Sequence, residues 1–273
     1  MTHWRTVMAT ICITAAGLAA TLWTWTEETA ATLAPAKSLP VTLLGDVVSF
    51  HQHIAEPPYM GHDGGREDIG TFFFEAPAAA TEGPDGYVLR YEDGECPPVI
   101  LPAGRMVAVD YVGPWISGVS ATLPMEPLSF EEARAMAEEI MEKMMAASWE
   151  RTYHRPDFDA ARIANVMGHR HTLARFTVCG DTGTYASVVV RNYGDGPAGH
   201  SIPPMAVGQP LPENTPTRYL VRVEILGRNF SDDTPNLIDD RKAAVRSMRE
   251  KVSGNAKQAI PLSVWLDQPD WQP

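Results

Sequence analysis

Cysteine is scarce, with three in 273 residues, too few for a disulfide-framework miniprotein or a thiolate metal cluster. Positive charge is scarce as well. Lys and Arg number 22 against 34 Asp and Glu, a formal net charge of −12. That balance does not track a phosphate backbone, and no nucleic-acid partner is expected. Charged residues make up only 21% of the chain against 44% hydrophobic, which excludes a disordered chain and a coiled-coil rod. There is no internal repeat of useful length. His-Glu-x-x-His, Cys-x-x-Cys, an EF-hand loop, a P-loop and Gly-x-Ser-x-Gly are all missing, so neither a metal nor a cofactor is expected.

One uncharged run is present, over residues 6–26, with Arg5 before it and Glu27 and Glu28 after it. It is long enough to cross a bilayer, and the charges place its N-terminal end in the cytoplasm. Trp4 on one side and Trp23 and Trp25 on the other would stand about 30 Å apart on a helix, as interfacial anchors do. Six of the 21 residues are threonine, so a cleaved signal peptide competes with an uncleaved signal-anchor. Cys12 follows Thr10 and Ile11, which argues against a lipoprotein. The expectation is a bacterial inner-membrane protein with its C-terminal domain in the periplasm. The alternative is a cleaved protein soluble in the periplasm.

The rest divides into a tether over residues 29–40, small and proline-punctuated, and an exported α+β domain over 41–273. That domain reads as one body or as two lobes, 41–151 and 152–273. Cys12 belongs to the targeting run, which leaves Cys96 and Cys179. An even number in an oxidising compartment points to a bridge, worth about 4 kcal/mol in the chain-entropy model, against the alternative of two unpaired thiols.

Short runs rich in β-branched and aromatic residues predict antiparallel strands over 41–50, 71–75, 87–91, 99–101, 105–112 and 116–123, and again over 173–179, 184–192, 218–226 and 260–266. Two main helices are expected to pack on this sheet. The first spans about 129–151, where Ser129 and Glu132 form a capping box and Ala133, Met136, Ala137, Ile140, Met141 and Met144 recur at helical spacing. Its methionines read as core filling ahead of a soft-metal surface. The second spans about 235–252, from Pro235 to a stop at Gly254. A shorter helix is expected over 158–167, and the Pro/Gly-rich segment 194–216 reads as a long connection.

Chemistry-bearing residues are few. His51 and His53 would point to one face of a strand, a geometry that metal sites use when a third ligand converges. His169 and His171 are weaker metal candidates still, and surface histidines are the default. The loop 61–70 has amides that could cradle an anion but no P-loop lysine or serine, so it reads as a turn. Cys179 with His169 or His171 would make a Cys–His pair, which the expected bridge opposes.

Asp181-Thr182-Gly183 after one strand, with Ile225-Leu226-Gly227-Arg228-Asn229 at the end of another, resembles the retropepsin-like aspartic proteases. The resemblance implies Asp181 as a catalytic acid/base sharing a proton with the aspartate of a second subunit, and residues 194–199 as a flap. Cys179 and Gly180 stand where that family carries two apolar residues. An ordinary hairpin turn accounts for the same tetrapeptide, Gly180 to Gly183. Two function classes follow. One is a membrane-tethered, non-catalytic protein of immunity, inhibitor or envelope-accessory type that captures a protein partner in the periplasm, its acidic surface suiting a basic one. The other is an exported hydrolase using Asp181, and Asp181→Asn separates them.

Overall fold

A computed structural model describes residues 35–47, 49–50, 54, 60–61, 68–76, 85–155, 170–179, 183–192, 218–227, 237–261 and 264. The membrane-span candidate over 6–26, the 158–167 helix, the 194–216 connection, the 61–70 loop apart from Gly61 and its last three residues, and His51, His53, His169 and Asp181 lie outside them. No helix among the described residues is long and apolar enough to cross a membrane.

Alternating burial organises the strands into two sheets. The smaller one joins β1 (Lys37–Val41), β4 (Tyr87–Tyr91) and β5 (Val99–Gly104) in the order β1-β4-β5, with β1 and β4 parallel. The larger one takes β2 (Met60–Gly61), β3 (Ile69–Glu75), β6 (Met106–Val112), β7 (Trp115–Leu128), β8 (Glu150–His154), β9 (Arg170–Thr177), β10 (Tyr185–Asn192) and β11 (Tyr219–Leu226). Its order is β2-β3-β6-β7-β11-β10-β9-β8, antiparallel throughout. β7 pairs with β11 at its centre, so residues from 41–151 and 152–273 meet inside a single sheet.

One face of this large sheet is the core. Val119, Ala121 and Leu123 of β7 stand opposite Ile225, Val223 and Val221 of β11, and Val188 of β10 continues the row, all buried. Helix α1 (Phe130–Ala146) packs over β7, β10 and β11 and buries Ala133, Ala137, Ile140, Met141 and Met144 in the same apolar cluster. Phe130 meets Tyr219 edge-on, with ring centroids 5.7 Å apart. Ser129 caps the helix as expected. Its hydroxyl accepts from the Glu132 amide while its own amide donates to the Glu132 carboxylate at 2.9 Å. Helix α2 (Leu237–Ser253) packs on β6 and ends where Gly254 adopts φ +69. Arg249 of α2 grips the fully buried Asp68, its Nε donating at 2.8 Å, and the Ile260 amide donates to the same carboxylate at 3.2 Å.

The fold is thus a mostly antiparallel sheet domain with two helices on it, as the residue pattern indicated, with four local corrections. Of the strand expected over 41–50 only Val41 lies in a strand and Asp46 in an isolated bridge to Trp115; Leu43 and Leu44 form a turn, and past it Asp46 accepts from the Ser49 amide and hydroxyl where Val47, Ser49 and Phe50 turn helical. Val47, Phe50 and Ile54 are all buried, a three-and-four spacing that suits a helix better than a strand. The strand that does form, β1, takes in residues 37–40 of the expected tether. The first helix stops at Ala146, short of 151: Ser148 takes φ +66, Trp149 meets Tyr91 edge-on at 5.4 Å, and the chain leaves as β8. Over 260–266 no strand forms among the described residues, since the Ile260 amide is spent on Asp68 and Val264 is helical.

Candidate functional site

Because side chains alternate along a strand, the face turned away from the core is decided by the residues between the apolar ones. There the large sheet is polar. Ser120 of β7 stands opposite Glu224 of β11, which stands opposite Ser187 of β10, and Ser187 faces Arg175 of β9 and, one strand on, Tyr153 of β8. A parallel row runs Thr122, Arg222, Val189, Thr172, and another Thr71, Asp110, Gly118, Leu226. Asp110, Ser120, Arg170, Thr172, Arg175, Ser187, Arg222, Glu224 and Leu226 together line a pocket of about 340 Å³.

Glu224 is its hub. Only 8% exposed, it forms ion pairs with Arg170 and with Arg222, and the Ser187 hydroxyl donates to it at 3.3 Å. Arg222 Nη2 donates to the Ser120 hydroxyl at 3.0 Å. Its buried Nε lies 3.0 Å from Glu224 Oε1, outside hydrogen-bond alignment, so the contact there is that of an ion pair. Arg175 rides over the Tyr153 ring, 5.6 Å from its centroid, a cation–π contact that holds the guanidinium at the pocket.

Asp110 faces this group from the other side and accepts from the Thr71 hydroxyl at 2.6 Å. Burial pushes its carboxyl above the ordinary aspartate value; the Thr71 hydrogen bond and the Arg222 charge pull it down, and the Glu224 charge pushes it up again. Gly118 makes room for it. A Cβ there would come within 2.8 Å of Leu226 Cδ2 and 3.3 Å of Asp110 Oδ2, so a side chain at 118 would displace the pocket's floor.

Of the residues singled out in the sequence, Cys96 and Cys179 do form the disulfide, with Cα atoms 5.9 Å apart. The bridge fits an extracellular or periplasmic domain. It removes Cys179 from any Cys–His pair. Asp93 lies against it, with a carboxylate oxygen 3.0 Å from Cys179 Sγ and the Glu95 and Cys96 amides donating to the other oxygen at 3.0 Å. These three side chains converge as metal ligands would, but both sulfurs are committed to the bridge. His171 sits on β9 with its Nδ1 3.4 Å from Arg155 Nη1. In the segment that carries the protease resemblance, Ile225 packs in the core, Leu226 lines the pocket and the Gly227 amide donates to Ser117 O at 3.1 Å.

The sequence reading missed the pocket residues. Their signal was a charged or hydroxyl side chain at every second position of otherwise apolar strands, as in Val221-Arg222-Val223-Glu224-Ile225 and Val119-Ser120-Ala121-Thr122-Leu123. Charge inside a strand that is largely buried needs partners, and partners gathered from several strands make a site. Compared with family models, curated proteins and solved structures, the chain matches none of them.

Proposed function

We propose that the exported domain is a non-catalytic binding protein, held at the bacterial inner membrane by residues 6–26, and that it captures a protein partner in the periplasm on the polar face of the large sheet. The polar row that crosses the large sheet and holds a charged pocket at its centre, turned away from the core, is the observation that carries this reading. Two arginines and a serine engage Glu224, which makes a rigid, preorganised charge pattern of the kind that sets specificity in a complex. A membrane tether adds effective concentration wherever the partner arrives.

The test uses the full-length tagged chain, solubilised gently from membranes of its own host. A stoichiometric protein is expected to co-purify, to be lost with Arg175→Glu, and to be kept with Arg134→Glu on the exposed side of α1. A partner held equally by all three proteins would remove the polar face from the account. A chain without a partner, showing peptidase activity that Asp181→Asn abolishes, would replace the reading with the exported hydrolase.

A further inference from the structure

The bridge between Cys96 and Cys179 has a carboxylate against it. Asp93, in the connection from β4 to β5, accepts from the Glu95 and Cys96 amides with one oxygen, each at 3.0 Å, and this fixes its other oxygen 3.0 Å from Cys179 Sγ. A bridged sulfur has no proton to give, so the contact is no hydrogen bond and the carboxylate charge stands directly beside the sulfur. Arg90, three residues earlier, pairs with Glu92 instead. Asp93, Cys96 and Cys179 are each half-buried, so the bridge is not sealed inside the protein.

We propose that Asp93 shields this disulfide from reduction, and most of all from reduction by anionic thiols. Exchange begins when a thiolate attacks one sulfur and expels the other as a thiolate, and a second thiolate then attacks the mixed disulfide. Two small thiols thereby give two electrons to the bridge and leave as their own disulfide, while the two cysteine thiolates take up the two protons released. Both possible first steps meet Asp93. Attack on Cys96 develops the leaving charge on Cys179 Sγ, 3.0 Å from the carboxylate, where a second negative charge is disfavoured. Attack on Cys179 brings the thiolate itself up to that carboxylate. Further negative charge on the thiol adds repulsion on either route, and a cationic group on it offsets part of that repulsion. The link between the two sheets is thereby held closed kinetically.

The test follows reduction of the full chain in detergent by glutathione, an anionic thiol, and by cysteamine, which carries a cationic amine. Alkylation and mass spectrometry of the Cys96 and Cys179 peptides keep Cys12 out of the readout. Each rate is divided by that of the same thiol with uncharged hydroxyethyl disulfide, which removes intrinsic reactivity. Asp93→Asn keeps an oxygen for the two amides and drops the charge. It should speed glutathione roughly tenfold, the order expected of one like charge at close range, and cysteamine by less. Glu142→Gln, which removes an exposed acid from α1, should change neither rate. A glutathione gain no larger than the cysteamine gain would overturn the proposal, because a merely loosened loop speeds both thiols alike. An equal gain from Glu142→Gln would overturn it too, since the charge of the whole surface would then be responsible.

Discussion

Asp110 shows how one side chain reports on its surroundings. Its carboxyl is raised from the ordinary aspartate value of 3.8, first by burial, so the folded state binds its proton more tightly than the unfolded chain does. Stability therefore falls as pH climbs from the unfolded pKa through the folded one, and the cost of the buried charge persists above that window. Asp110→Asn keeps an oxygen for the Thr71 hydroxyl and carries no charge. It should match the wild type in urea unfolding near pH 3 and exceed it near pH 7. A variant less stable at pH 7 would mean that attraction to Arg222 outweighs burial. Glu224 is the contrasting residue, because its partners surround it: truncating it would set Arg170 and Arg222 side by side with their shared counter-charge gone.

At the scale of elements, α1 shows local and tertiary terms acting together. The capping box at Ser129 satisfies otherwise orphaned amides, and Ser129→Ala should cost about 1 kcal/mol. Ile140, fully buried against the sheet, should cost about 3 kcal/mol as Ala, from lost burial plus the cavity left behind. Chemical denaturation of both variants would rank them, and the reverse order would place the helix's stability in its ends. At the other extreme is β8, the outer strand of the large sheet, whose five side chains are all exposed. Glu150 and Arg151 put charge of both signs on that edge, which discourages pairing with a second chain.

For the whole molecule, the disulfide is the long-range constraint. It joins the stretch between β4 and β5, in the small sheet, to the end of β9 in the large one, across 83 residues of sequence. Cross-linking so long a loop removes entropy mainly from the unfolded chain, and Cys96→Ser with Cys179→Ser should lower unfolding free energy by about 4 kcal/mol. Urea midpoints of the wild-type chain with and without reductant give the same comparison without mutation. Coincident midpoints would show that the two sheets hold each other without the bridge. The Asp68, Arg249 and Ile260 contact is the smaller counterpart, tying the start of β3 to α2 and the chain beyond it.

How legible all this was from residues alone depended on the range of the interaction concerned. Strands such as Tyr87–Tyr91 and the cap at Ser129 could be read because alternation and capping are set by neighbours in sequence. The cysteine pairing could be read because only two candidates lay beyond the uncharged run over residues 6–26. Misreadings arose where a local pattern met a distant partner: Trp149 leaving the helix for Tyr91, or the Ile260 amide drawn to Asp68. The pocket belongs wholly to that second kind. Asp110, Ser120, Arg170, Ser187, Arg222 and Glu224 come from five strands, and which of them meet is decided by strand order and register. Composition and short-range pattern were enough to determine the α+β class, the helix start and the bridge. Only tertiary structure could bring five strands' polar residues to one face, because a one-residue slip in register would have turned them into the core.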